Sequence, residues 1–502
     1  MHHLRFSSLR LLVMLTACML AVSSFSLSPM LAGASPARVA SAPLTLGTYY
    51  GGSSDDQVND VAVDSTGIYI TGRTYSNNLP GMTGKVKGYT DMFVTKLSPD
   101  GGSVLWARLI GGRDDDEGFA IVADGQGNVY VTGSTDSDDF PVTPNADQPN
   151  FSGFTDITVM RLNASTGATD WATYLGTDNW DEGHDIALDG QGHVYVAGWW
   201  QQQDAVLLKY DAATGAGLWG KAWSNNAEGK ANGLAIAPDG SIWVTGETDA
   251  MGTTSDFNVV GPALQTTCGA GDSYGSCGTD AFLTRFSPDG DIIYSSFFGG
   301  SFSGGEVDSG SDTGRGIAVD GQGNVYLVGQ TFASNFPLKN AFQATQGGAQ
   351  NFSDGFVSKI KPDGSAILYS TYLGGEAWDE ARAITVDAAG NAAVTGYTGA
   401  TDFPVKDALY DKLGNGICDV GGSERYCYDA FLTLVGPDGS LQNSTFLGGG
   451  LDELAYGMTR GADGAYYIVG ETGSSLNQGF PITVGAVQTQ KGLNDDGFVI
   501  RI

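Results

Sequence analysis

Short apolar runs recur along the chain, each closed off by Gly, Asn, Asp or Pro. The clearest unit runs from Gly314 to Gly375: GRGIAVDGQGNVYLVGQT, a variable stretch, then DGFVSKIKPDGSAILYSTYLGG. Its first half returns as IVADGQGNVYVTGST from Ile121, IALDGQGHVYVAGWW from Ile186, LAIAPDGSIWVTGET from Leu234 and ITVDAAGNAAVTGYT from Ile384. Looser copies start at Val61 (VAVDSTGIYITGRT) and Ala462 (ADGAYYIVGET). Its second half returns as DMFVTKLSPDG from Asp91, DAFLTRFSPDG from Asp280 and DAFLTLVGPDG from Asp429, with a worn copy, DAVLLKYDAATG, from Asp204. Each copy predicts four short strands. A GIAVD-type strand leads through a D-G-Q-G-N turn to VYLVGQT. A variable loop precedes DGFVSKI, and a P-D-G turn leads to ILYSTYL. Phe356, Ser358 and Ile360 alternate with Val357 and Lys359, the period of two of a pleated strand. Pro presets φ, Asp bonds its own backbone and Gly takes positive φ, so Pro-Asp-Gly suits a hairpin turn.

Self-similarity at a fixed period decides the fold class. Repeats begin near Gly51, Gly111, Gly176, Ser224, Gly299, Gly374 and Gly448. The last copy ends at Ile502 after its third strand, and the missing fourth strand stands at the other end: Leu46 to Gly52 (LGTYYGG) matches Ser370 to Gly375 (STYLGG). A strand from the N-terminal side that completes the last blade closes a ring and leaves no free sheet edge at the seam. The reading is therefore all-β: a seven-bladed propeller of four-stranded antiparallel blades over 44–502. The D-G-Q-G-N-V-Y-V-T-G, D-A-F-V-T-K and P-D-G-S…Y-S-T-Y-L-G-G blocks resemble the bacterial SBBP (seven-bladed β-propeller) repeat family of surface and exported proteins. That resemblance implies the fold. It implies no particular activity, since members mostly lack an assigned one and fold alone does not give function.

Ahead of the repeats, Arg5 and Arg10 flank an apolar run from Leu11 to Val22, and Ala32-Gly33-Ala34 offers a small-residue cleavage site. This reads as a signal peptide over 1–34 with a short linker over 35–43, and so as a secreted, cell-surface or periplasmic protein. Leu15-Thr16-Ala17-Cys18 also fits a lipobox that would anchor Cys18, but the apolar sequence continuing to Leu31 suits a single longer signal better. No later run is long enough to cross a bilayer as a helix. The chain carries 25 Lys+Arg against 56 Asp+Glu, a formal charge of −31, which repels nucleic acid and anionic membranes and leaves glycans, proteins and cations as partners. Four cysteines form two equally spaced pairs, Cys268 with Cys277 and Cys418 with Cys427, each just ahead of an equivalent Asp-Ala-Phe. In an exported chain this predicts two loop-stapling disulfides.

Length variation falls in the loops between blades and between second and third strands, which share one face, so binding is expected there. The blade-to-blade loops carry Asp114, Asp115, Asp116 and Glu117, Asp181 and Glu182, Asp379 and Glu380, and Asp452 and Glu453 among others. Ring closure would set these as an acidic ring round the channel mouth. Asp114, Asp115, Asp116, Asp452 and Glu453 are candidate Ca²⁺ ligands, against the alternative that they cap turns and face water. The Asp opening each third strand recurs in every repeat and so reads as architectural. Trp180, Trp199, Trp200, Trp378, Asp379 and Glu380 are candidate ligand-binding residues, because Trp beside carboxylates suits sugar rings; plugging gaps between blades is the competing role. His184 with Asp181 and Glu182 is the candidate acid/base set of a polysaccharide lyase or hydrolase; His193 fills the Asn slot of a turn. NASTG from Asn163 and DAATG from Asp211, each followed by a Trp, resemble docking repeats of quinoprotein dehydrogenases, but the adjacent-Cys pair of alcohol-oxidising members is missing. The function that fits best is a binding or adhesion module for a glycan or protein. A secreted carbohydrate-active enzyme with its site near Trp180 to His184 is the alternative.

Overall fold

Alternation along a strand ordinarily separates a buried face from a wet one, yet the strand Asp354–Ile360 is buried at every position. The reason lies in how the sheets stack. In the computed structural model, which describes residues 43–200, 204–224, 228–249, 257–269, 278–300, 311–348, 352–420 and 423–502, seven four-stranded antiparallel sheets follow one another round a ring. Each sheet is sandwiched between two neighbours, so both pleat faces of its middle strands are covered. Even Lys359 is 6% exposed, its ammonium lying 4.8 Å from the Tyr326 ring centroid.

Blade 5 shows the plan: Asp312–Val319 is innermost, followed outward by Val325–Thr331, Asp354–Ile360 and Ile367–Leu373. Blades 1 to 4 and blade 6 begin with Asp56–Asp64, Asp116–Ala123, Glu182–Leu188, Glu228–Ile236 and Asp379–Val386, and repeat the same order outward. Blade 7 begins with Glu453–Arg460 and is completed by Leu46–Tyr50, which pairs antiparallel with Asp496–Arg501 from Leu46↔Arg501 to Tyr50↔Gly497. Blade 6 also carries a small hairpin, Ile417–Val420 with Ser423–Tyr426, in its variable loop.

The core is divided among the interfaces between blades. One cluster joins blades 1 and 2 around Met92, Trp106 and Met160; another joins blades 4 and 5 around Trp243, Phe298 and Phe356. The closing strand serves two such interfaces. Tyr50 packs with Val58 and Phe93 of blade 1, while Tyr49 packs with Leu432, Leu447 and Phe480 on the blade 6 side. At the face opposite the variable loops, the P-D-G glycines take positive φ, 72° at Gly364, as the turn chemistry requires. There Trp106 Nε1 donates to the Ala164 carbonyl (3.0 Å) and Trp171 Nε1 to the Ala212 carbonyl (3.1 Å). The tryptophans near the two Thr-Gly turns are thus pins between blades. Among the described residues, no helix is long and apolar enough to cross a membrane.

Candidate functional site

Every innermost strand carries the same irregularity. The register with the second strand shifts between Val58 and Asp60, Gly118 and Ala120, Gly183 and Asp185, Ala231 and Gly233, Gly314 and Gly316, Ala381 and Ala383, and Ala455 and Gly457. A bulge leaves one residue unpaired and re-aims its side chain. The seven bulge residues are Asn59, Phe119, His184, Asn232, Arg315, Arg382 and Tyr456. Together with Gln57 and Glu117 they line one cavity of about 260 Å³ in the central channel. The repeat thus holds its backbone constant and places seven side chains of mostly different chemistry round one axis. Sequence reasoning found His184 and missed the other bulge residues.

The residues around this cavity fall into three hydrogen-bonded groups. Arg73 pairs with Glu117 (3.1 Å) and also donates to Gln57; Asn59 Nδ2 donates to Glu117 (2.8 Å). His184 Nε2 lies 3.0 Å from Glu182 Oε2, which also accepts from Trp199 Nε1 (3.0 Å). Lys230 sits 4.3 Å over the Trp199 ring. Glu380 accepts from Arg315 Nε (2.6 Å), from Arg382 Nη2 (3.2 Å) and from the Tyr397 hydroxyl. Burial raises the Glu380 carboxyl, but the Arg382 and Arg315 guanidiniums more than offset this and hold it at about 2.

The acidic ring expected from the sequence is therefore only partly at the channel. In each Trp-Asp-Glu triplet the three side chains part company. Trp180 and Trp378 lie on the loop face, each 38% exposed; Asp181 and Asp379 are fully buried between blades; Glu182 and Glu380 hold the channel residues in place. Asp116 and Glu453 are buried like Asp379. Their carboxylates accept the backbone N–H of Gly112, Gly449 and Gly375 respectively, and the hydroxyls of Thr135 and Thr472 bond Asp116 and Glu453. Asp114 and Asp115 are exposed loop residues, Asp115 accepting from the Thr90 N–H (3.0 Å). Asp452 is held by both Arg425 Nη groups (2.9 and 3.0 Å). The five candidate Ca²⁺ ligands thus sit in blades 2 and 7, separated by blade 1. Among the described residues, His, Cys, Asp and Glu converge in a group of three at Cys418, Cys427 and Asp452, where the two cysteines form a disulfide with Cα atoms 5.1 Å apart. Cys277 lies outside the described residues. Trp200 is half-buried and packs with Val194, Leu208 and Ile186. His193 Nδ1 bonds Asp189 (2.6 Å) within its turn.

Each buried acid at a blade's start faces the Asp that opens the preceding blade's third strand. That Asp accepts loop N–H groups, as Asp354 does from Gly347 (2.9 Å) and Asp496 from Gly492 (2.9 Å). The junction glycine lies between the two carboxylates. A Cβ on Gly299 would fall 2.6 Å from both Asp280 Oδ1 and Asp312 Oδ2, and one on Gly374 would fall 2.9 Å from Asp354 Oδ1 and 2.7 Å from Asp379 Oδ2. Nothing larger than glycine fits there. Burial pushes Asp116, Asp156, Asp280, Asp354 and Glu453 up to about 7 and Asp429 to about 8. Asp312 and Asp379 rise well above the ordinary 3.8, from burial first and then from the facing carboxylate.

The loop face carries aromatic side chains that contact one another. Phe154 and Trp180 stack with centroids 4.7 Å apart and planes 17° apart. Trp378 meets Phe332 and Phe352 edge-on at 5.4 and 5.9 Å, and Tyr89 meets Tyr75 at 5.4 Å. Phe154, Phe352 and Tyr89 stand at the same repeat position, two residues ahead of the third-strand Asp.

Residues 105–141 and 302–337 match the SBBP family, described as a beta-propeller repeat. No curated protein matches the chain. Among solved structures, the chain is similar to the Dos1 propeller (9% identity, covering 91% of this chain and 95% of that one, TM-score 0.42). It is similar also to the quinohemoprotein alcohol dehydrogenase from Comamonas testosteroni (11%, 92% and 77%, TM-score 0.40) and to the WD40 domain of Toxoplasma gondii coronin (6%, 92% and 87%, TM-score 0.42).

Proposed function

We propose that this chain, a seven-bladed propeller carrying SBBP repeats, is an exported binding module that takes a glycan on its loop-bearing face. The observation that carries the reading is the Phe154–Trp180 platform. Phe154 is 59% and Trp180 38% exposed, although both are large aromatics that burial would favour. Stacked, flat and half in water, they offer apolar surface of the kind a sugar ring covers with its C–H face. The Trp378 group supplies a second platform three blades further round the ring. A polymer that touches both gains from effective concentration, not from any new contact. Against these stand junctions and pins that recur from blade to blade and serve the fold.

The test is electrophoresis through gels cast with a panel of polysaccharides. At least one polymer is expected to retard the protein. Trp180→Ala and Trp378→Ala should each weaken retardation about three- to tenfold, the worth of one aromatic contact at about 0.5–1.5 kcal/mol, with a cooperative melt retained and only a small drop in melting temperature from the lost ring contacts. Retardation that survives both substitutions removes the aromatic platforms from the account, and no retardation on any polymer leaves a protein as the partner. The His184–Glu182 bond inside the cavity favours a second reading, cleavage of the bound polymer by acid/base chemistry. A cleared zone in the same gel would move the assignment to it.

A further inference from the structure

We infer that the channel mouth is a subsite for a single carboxylate-bearing sugar, a hexuronate, held through Arg315 and Arg382. The choice of a sugar rests on the glycan reading above; the anion-binding wall rests on the channel alone.

Charge singles out this wall. One buried carboxylate, Glu380, holds two guanidiniums, so one positive charge remains over. Arg315 gives Nε to Glu380, leaving its Nη donors to the cavity it lines. Arg382 gives Nη2 to Glu380 and its Nε is buried out of a ligand's reach, so the Nη donors of Arg315 are the ones that meet the carboxylate while Arg382 contributes charge. The other acids round the cavity are already matched: Glu117 by Arg73, Glu182 by His184 and Trp199, and Glu471 by the Tyr456 hydroxyl (2.7 Å), with burial raising its carboxyl. Arg382 is also fixed in place, lying 5.5 Å from the Tyr397 ring centroid and 5.0 Å from that of Tyr456. So held, it sets a fixed positive charge beside the Nη pair of Arg315, which is free to fork a carboxylate.

The rest of the cavity matches the rest of a sugar. Asn232 spends Nδ2 on the Gly314 carbonyl (2.9 Å), leaving Oδ1 to accept from a hydroxyl. Phe119 and His184 meet edge to face at 5.5 Å and form an apolar corner for a ring's C–H face. At about 260 Å³ the cavity falls below the roughly 300–1,000 Å³ of sites for drug-sized ligands, so it admits one ring and not a stretch of chain.

Isothermal titration of the chain with glucuronate, galacturonate, glucose, galactose and inorganic phosphate tests this. At least one uronate is expected to bind ten or more times tighter than its neutral counterpart and than phosphate. Arg315→Gln should remove at least tenfold of that affinity with only a modest fall in melting temperature, since Glu380 keeps Arg382 and Tyr397. If Arg315→Gln does not fold, Arg315→Lys replaces it and should lose the fork's share of the preference while keeping the charge. Trp180→Ala should leave uronate binding intact, so a failed loop platform and a failed channel site give different results. Equal binding of uronate and neutral sugar, equal binding of phosphate, uronate binding indifferent to Arg315, or no binding at all would each overturn the inference.

Discussion

A chain that starts at residue 52 is expected not to fold cooperatively. Truncation there removes the strand Leu46–Tyr50, whose five residues are all buried. Leu46, Tyr49 and Tyr50 leave water almost completely on folding, at about 1.5–3 kcal/mol each. Their sum approaches the whole stability of an ordinary domain, about 5–15 kcal/mol. The damage also spreads in two directions, because Tyr49 and Tyr50 belong to different interface clusters. The newly bared edge of Asp496–Arg501 would present unpaired backbone to other chains. Circular dichroism melting and sedimentation of the truncated chain check this. The account expects a broad, early transition with aggregation, and a sharp melt at the temperature of the longer chain would show that the seam contributes nothing. Tyr49→Ala is the milder probe. It should cost about 3–5 kcal/mol, the usual loss for a buried large aromatic.

Acidification from pH 8 to pH 5 is expected to stabilise the fold, opposite to the usual behaviour of salt-bridged carboxylates. The buried junction acids bind protons in the folded state at about 7 for Asp116, Asp156, Asp280, Asp354 and Glu453, and at about 8 for Asp429. Unfolded, the same groups ionise near 4. Between those values the folded chain holds more protons than the unfolded one, so stability falls as pH rises through 7. The gain is complete near pH 4. Below that it reverses, because Glu380 at about 2 and the lowered Asp320 and Asp387 lose their partners as they protonate. Melting temperatures measured in EDTA at pH 5, 6, 7 and 8 should fall steadily across the series. A higher melting temperature at pH 8 than at pH 5 contradicts proton sharing at the junctions. A melting temperature at pH 8 that Ca²⁺ raises and EDTA lowers would place a cation there instead.

The blades and their closure were legible because they rest on local chemistry. Gly and Asp in the P-D-G and D-G-Q-G-N turns have few conformations to choose from, and LGTYYGG carries the same pattern as the fourth strands it completes. The recurring third-strand Asp was legible for the same reason. The channel was not. Asn59, Phe119, His184, Asn232, Arg315, Arg382 and Tyr456 share a place in the fold but follow no one chemistry, so a self-comparison discards them as noise. A bulge shifts the register by one residue, and sequence spacing does not show which residue is squeezed out. Neighbouring acids were equally opaque. Asp55 and Asp56 look alike in sequence, but the first strand starts at Asp56, which is buried, and Asp55 stays on the loop. Likewise Trp-Asp-Glu reads as one constellation until the strand turns its members in three directions.

Hydrogen–deuterium exchange, with and without the polysaccharide that retards the protein most, tests the central claim most directly. The account predicts slowed exchange in the loops bearing Phe154, Trp180, Phe352 and Trp378 and at the strand starts around Glu182 and Glu380, with the P-D-G turns unchanged. Slowed exchange confined to the P-D-G turns near Gly101, Gly290, Gly364 and Gly439 would put the ligand on the opposite face and contradict it.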